Sequence, residues 1–196
     1  MLSVAFIVAG ASALWLATLK MPDLNAFEQR VVAQSTKIFD RTGEVLLYDV
    51  NVDIRRTVVP LAEISEYAQK ATIAVEDASF YDHEGVRPMA ILRAAISDIL
   101  SGGAHQGGST ITQQVIKNSL LTKDKTITRK FKEMVLAIKL EKIMDKDAIL
   151  ETYLNENPYG GTLYGVEEAS QSFFGKPVKE VSLAEAAYLA AIPQAP

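Results

Sequence analysis

The chain has no cysteine, which removes disulfides, a thiolate nucleophile and any thiolate zinc site in one step. It has only two histidines in 196 residues, too few for a His-rich metal cage, so any metal would be a hard ion held by oxygen. No Gly-Lys-Ser/Thr follows any of its glycines, which excludes a Walker A nucleotide site. Internal repeats and low-complexity tracts are also missing. What remains is ordinary for a globular domain with a real core: 48% hydrophobic and 22% charged residues.

Charge is absent from Leu2 to Leu19, LSVAFIVAGASALWLATL, which ends at Lys20 with Pro22 soon after. As a helix this run reaches about 27 Å, enough to span a bilayer core. Trp15 near one end suits an interfacial anchor. Residues 2–19 therefore predict a transmembrane segment and 20–36 a juxtamembrane stretch. A cleavable signal peptide competes, since Ala11-Ser12-Ala13 has the small-x-small look of a cleavage site, and a buried soluble helix is the third reading. No basic residue precedes the run, so charge gives no orientation.

The body, 37–196, reads as mainly α with a small β element near the membrane. KIFDRTGEVLLYD at Lys37–Asp49 predicts a hairpin turning at Asp40–Gly43, and Arg55–Val59 one more short strand. Helical spacing follows from Leu61 to Ser79, with Ile64, Ala68, Ala71, Val75 and Ala78 on one stripe. Phe80–Gly85 is a turn, and Pro88 opens another helix that Gly102-Gly103 stop. Thr110 followed by Gln113 fits a capping box. Thr126–Met144 predicts a helix buried through Phe131, Val135 and Ile138, with further helices at Asp147–Asn155 and Ser182–Ala191 and a loop at Asn157–Gly161.

Net charge is unevenly spread. Lys117–Lys146 holds nine Lys/Arg against four Asp/Glu, in a chain of net charge −4. A run of this kind is usually a solvated face. The polar loop just upstream favours a strip facing phosphate or anionic lipid. Gly107–Asn118, GGSTITQQVIKN, is that loop and the helix it opens. Free backbone N–H groups at a helix start, the hydroxyls of Ser109 and Thr110, and Lys117 further along form a phosphate-handling pattern. Gln113, Gln114, Lys117 and Asn118 crowd polar groups onto one helical face. Glu76-Asp77 precede this segment and run into Phe80-Tyr81, where a carboxylate beside aromatics is a candidate acid/base. Arg129, Lys130 and Glu133 follow it on one helix; a surface ion pair is the plain reading, a carboxylate among cations at a phosphate site the functional one.

Together and in this order the segments resemble the peptidoglycan glycosyltransferases, glycosyltransferase family 51, the transglycosylase domain of class A penicillin-binding proteins. The resemblance covers about Lys37 to Pro196 and rests on EDASFYDHEG (Glu76–Gly85), GGSTITQQVIKN, RKFKE (Arg129–Glu133), ILETYLN (Ile149–Asn155) and AEAAYLAAIPQAP (Ala184–Pro196). One departure is Asn157, where an apolar residue is expected before Pro-Tyr-Gly. Family members also continue past the fifth motif, so the domain is expected to lack its final packing helices here.

The resemblance implies a lysozyme-like helical fold that polymerises lipid II by an inverting transfer. Glu76 would be the general base and Glu133 the helper of the leaving pyrophosphate. Lys117, Arg129 and Lys130 would stabilise charge on it. Asp77, Phe80, His83, Ser109, Thr110, Gln113, Gln114, Asn118 and Asn155 would bind substrate. A magnesium or manganese ion would sit on Glu76, Asp77 or Glu133, with no organic cofactor. The partners implied are lipid II, the growing glycan strand, the membrane and other cell-wall synthesis and division proteins, with no nucleic acid. The expected place is the bacterial cell membrane, single-pass, with the catalytic domain outside the cytoplasm. Two rivals stand beside this reading. A lytic muramidase would need no pyrophosphate cradle, and a catalytically silent scaffold would not need both Glu76 and Glu133.

Overall fold

A computed structural model describes residues 24, 27, 32–43, 45–50, 54–89, 93, 108–121 and 126–194. The apolar run 2–19, the glycine pair 102–103 and Gly107 lie outside the described residues, as do most of 20–36 and of the helix expected after Pro88. Among the described residues no helix is long and apolar enough to cross a membrane. Phe27 is helical and buried in the core.

The predicted hairpin is present. Strand β1 (Thr36–Phe39) pairs antiparallel with β2 (Leu46–Val50), Lys37 opposite Asp49 and Ile38 opposite Tyr48, with the register shifting at Phe39. Asp40 shapes the turn: its carboxylate accepts from the Thr42 hydroxyl and the Val45 amide, and Gly43 supplies the positive φ that follows. The third expected strand shortens to β3 (Arg55–Arg56), which pairs in parallel with β4 (Leu163–Tyr164), a strand with too few residues to leave a periodic signal.

Six described helices form the body. Helix α1 (Glu66–Glu76) is capped by Ser65 and packs on α6 (Leu183–Ala191), itself opened by a Ser182–Glu185 capping box. Helix α2 (Ile111–Leu120) packs on α3 (Ile127–Leu140) and α4 (Lys146–Glu156). Helix α5 (Val166–Phe174) lies between glycines at both ends and has no counterpart in the sequence-based reading. Its first turn, Glu167-Glu168, looks solvent-facing on paper, yet both carboxylates are buried. The Val178 amide donates to Glu167 at 2.8 Å, and Glu168 takes Lys37, the Thr57 hydroxyl and Arg55. Buried polar groups with partners are tolerated inside a core, so periodicity alone misses such a helix.

Two expected stripes need correction. In α1 the apolar stripe gives out early: Ile64 and Ala68 are buried, but Val75 and Ala78 are exposed and Thr72 takes the inner face. In α3 the buried residues are Glu133, Leu136, Ala137 and Leu140, while Phe131, Val135 and Ile138 are only half-buried. A glutamate on the inner face shifted the apparent stripe by about one residue.

Gly85 shows how three motifs are fastened together. Its φ is +84°, and a Cβ there would stand 2.7 Å from the backbone of Ala137 on α3. Its carbonyl accepts from the Thr110 hydroxyl at 2.6 Å, at the start of α2. The turn after α1 therefore lies flush on both helices. Gly85→Ala is expected to destabilise the protein by about 2–4 kcal/mol, from left-handed backbone strain plus overpacking; urea denaturation reads this as a lower midpoint at unchanged slope.

Candidate active site

Glu76 is the last residue of α1, half-buried, where the chain leaves the helix. The Gln114 side-chain amide on α2 donates to its carboxylate at 2.6 Å. The Tyr153 phenol on α4 lies in the field of the same carboxylate. Burial pushes Tyr153 far above the usual phenol range, and the charge of Glu76 raises it further. Tyr159, fully enclosed, is raised in the same way, first by burial and then by Glu76. Glu76 thus faces two phenols that stay protonated at any working pH.

Lys117, one turn along α2 from Gln114, lies in the field of both glutamates. Its pKa is lowered, mainly by burial; Glu133 opposes that shift, Lys130 and Arg129 reinforce it, and Glu76 opposes it more weakly. Three cations therefore converge beside two carboxylates. Glu133 is fully buried on α3 and pairs with Lys130, whose ammonium also donates to the Ser109 hydroxyl at 2.6 Å. Asn118 is exposed at the far end of α2 and donates to the Asn157 side chain at 3.1 Å.

Glu76, Ser109, Gln114, Lys117, Arg129, Lys130 and Glu133 are thus brought together. Apart from the exposed Asn118, the other expected substrate contacts are buried or nearly so, and many of their polar atoms bond inside the protein, although Gln113 Nε2 and Asp77 Oδ1 make no hydrogen bond among the described residues. Asp77 is buried; it bonds His83 Nε2 at 2.8 Å and accepts from the Ile111 amide at 3.1 Å, with Arg87 at 3.5 Å. His83 Nδ1 accepts from the Gly85 amide, so Nε2 carries the proton given to Asp77. Phe80 is fully buried, with the Lys146 ammonium 4.6 Å from its ring centroid, and is a core residue rather than a sugar platform. Thr110 and Gln113 close the capping box of α2, the Gln113 carbonyl accepting from the Thr110 amide. Asn155 clamps the backbone of Val59 through both an accepted and a donated bond and also bonds the Glu151 carbonyl.

A hard divalent ion needs six or more oxygen ligands. Among the described residues no group of three or more His, Asp or Glu side chains is placed to hold a metal. Asp77 and Glu133 are taken by His83 and Lys130. A divalent ion on Glu76, Asp77 or Glu133 would share its shell with substrate phosphates and water rather than sit in a cage of side chains.

Residues 43–196 match the family described as Transglycosylase. The chain belongs to this transglycosylase family. It is 46% identical over 176 residues to penicillin-binding protein 1A of Aquifex aeolicus (strain VF5), covering 90% of this chain and 24% of that one. It is 46% identical over 168 residues to penicillin-binding protein 1F of Bacillus subtilis (strain 168), covering 85% and 23%, and 41% identical over 178 residues to penicillin-binding protein 1A of Neisseria gonorrhoeae, covering 90% and 22%. The chain thus spans about a quarter of the length of the curated relatives it matches. It is a glycosyltransferase domain of the class A penicillin-binding protein type. Near Glu76 lie side chains the sequence reading did not single out: Tyr153, inside ILETYLN, and Tyr159, in the loop after it.

Proposed function

We propose that this transglycosylase domain polymerises lipid II into β-1,4-linked glycan strands by an inverting transfer. The acceptor sugar's 4-hydroxyl oxygen attacks the anomeric carbon of the growing strand, and Glu76 takes the hydroxyl proton. The bond from that carbon to the pyrophosphate oxygen breaks, and undecaprenyl pyrophosphate leaves with the electron pair. Lys117, Arg129 and Lys130 stabilise the charge it gains. Glu133 acts through them, holding Lys130 and keeping Lys117 charged. The observation that carries this reading is the partly buried Lys117, in the field of Glu76 and Glu133, beside the Lys130–Glu133 pair that reaches Ser109. A lytic enzyme gains nothing from three cations at its leaving-group side. Both substrates carry a lipid, so we place the enzyme at the bacterial membrane with this domain outside the cytoplasm. Confinement there raises the effective concentration of the two substrates for each other.

The deciding assay supplies lipid II to the full-length protein in membranes. Polymer with released undecaprenyl pyrophosphate supports the proposal; cleavage of preformed strands, or neither product, overturns it. Lys117 adds a pH signature. Its lowered pKa means the ammonium is lost at a lower pH than an ordinary lysine's. The sign is that of a buried cation: the unfolded chain holds this proton more tightly, so stability rises with pH through this window. Activity moves the other way. The alkaline limb of the rate profile is expected below the usual lysine range, and Lys117→Arg should push that limb upward, because guanidinium stays charged. Lys117→Met should cost roughly 10²–10³ in kcat, by analogy with the loss of one charge-stabilising donor.

A further inference from the structure

The stretch between the apolar run and β1 is fastened to the body at two places. Phe27 is 4% exposed and sits in the core, with Leu24 packed partly buried against that core and accepting from the Phe27 amide at 3.0 Å. Further on, residues 33–35 run beside 56–58. Arg56 is buried; its Nη1 donates to the Ala33 carbonyl at 3.0 Å, and its guanidinium lies 5.0 Å from the Tyr164 ring centroid. The Arg56 carbonyl accepts from the Ser35 amide at 3.2 Å, and the Val58 amide donates to Gln34 Oε1 at 3.2 Å. The segment that receives these bonds is itself held. The Arg55 amide donates to the Thr162 carbonyl at 2.8 Å, and Asn155 grips Val59 from both sides of its peptide.

Only Lys20, Met21, Pro22 and Asp23 separate Leu19, the end of the apolar run, from Leu24. Fully extended, the steps from Leu19 to Leu24 reach at most about 18 Å. That is well under the diameter of a domain of this size. Pro22 stiffens the leash further by fixing one φ. We infer that residues 24–35 are a strap that holds the catalytic body at a short, fixed distance from the bilayer, pinned by Phe27 in the core and buckled by Arg56 to the Ala33 carbonyl. The inference rests on 2–19 spanning the membrane and on lipid II as the substrate. The chemistry calls for such a device. The pyrophosphate is joined directly to the lipid tail, so it lies at the headgroup plane, and Lys117, Arg129 and Lys130 have to meet it there. Phe27 and Arg56 act through the distance of the site from the bilayer and are positioning residues.

The test uses the full-length protein in membranes with lipid II, with a thermal melt beside each variant. A twelve-residue Gly/Ser insertion between Pro22 and Asp23 lengthens the leash from 20–23 to the length of 20–35, as if the strap were lost, and leaves the body untouched. Effective concentration falls roughly as the −3/2 power of leash length, so KM for lipid II is expected to rise ~8-fold at unchanged kcat and melting temperature. Arg56→Met removes the bond to Ala33 and the cation over Tyr164, and should raise KM by less, because Phe27 still holds. Arg56→Lys keeps a cation and a donor there and should restore most of the loss. In the insertion background Arg56→Met should leave KM where the insertion put it. An unchanged KM in the insertion variant, or a fall in kcat alone, overturns the strap. If Arg56→Met does not fold, the insertion variant decides alone.

A second readout needs no substrate. The chain has no cysteine, so one placed at the exposed Thr36 carries a single dye. Energy transfer from it to a headgroup-labelled lipid should weaken on insertion, and unchanged transfer overturns the strap. The ways to fail are distinguishable. Wild type that makes no polymer sinks the substrate reading, and the transfer then decides the strap. Wild type that alkaline carbonate strips from membranes sinks the spanning segment and the strap with it. Polymer from membranes, with KM and transfer unmoved by the insertion, means that the strap alone is wrong.

Discussion

Glu76→Gln is expected to cut lipid II polymerisation by roughly 10²–10⁴-fold, the usual contribution of a positioned base, while leaving the fold intact. Glutamine is nearly isosteric, and its amide can still meet Gln114, which donates to the native carboxylate. Glu76 ends α1 and is only half-buried, so no core packing depends on its charge. What the variant loses is the ability to take the acceptor's proton. The fall should therefore appear in kcat, with lipid II still bound through Lys117, Arg129 and Lys130. Single-turnover measurements with a fluorescent donor, beside a thermal melt, check both halves. Polymer at near-native rate would remove Glu76 from the mechanism and turn attention to Glu133, the other glutamate of the described cation cluster.

The contrast between these two glutamates shows what the sequence could and could not reveal. Both stand in recognisable motifs, and the helices that carry them were readable from apolar spacing and caps. Thr110 and Gln113 form the expected box, and the hairpin turns where Asp40 and Gly43 say it should. Their environments were not readable. Glu133 occupies the inner face of α3, where a hydrophobic stripe was expected, because its ion pair with Lys130 makes burial tolerable. Residues assigned to substrate, such as Asp77, Thr110 and Asn155, are conspicuous polar residues in motifs. Their work is to fasten loops to helix ends, a role that only three-dimensional hydrogen bonding discloses. The Tyr153–Asn157 pair is hidden for the opposite reason: an aromatic and an amide at helical spacing look like core and cap until their hydrogen bond is seen.

Lys37→Met is expected to destabilise the protein by about 3 kcal/mol, and Glu168→Gln by about 1 kcal/mol, although the two changes break the same ion pair. The asymmetry comes from burial. The Glu168 side chain is 1% exposed, Lys37 20% and Arg55 36%. Removing Lys37 strands a carboxylate deep on α5, with the Thr57 hydroxyl and the more distant Arg55 left to compensate it among the described residues. Removing the charge from Glu168 leaves two cations that can turn toward water, and glutamine's carbonyl still accepts from Thr57. The pair ties β1 and the segment around β3 to α5, so its loss should loosen the hairpin before the helical body. Urea denaturation of the two variants reads the difference in midpoint, and hydrogen exchange of the strand amides shows where the opening begins. Equal destabilisation by the two substitutions would mean that Glu168 is solvated in solution, and that the hairpin is held to the body by something other than this buried carboxylate.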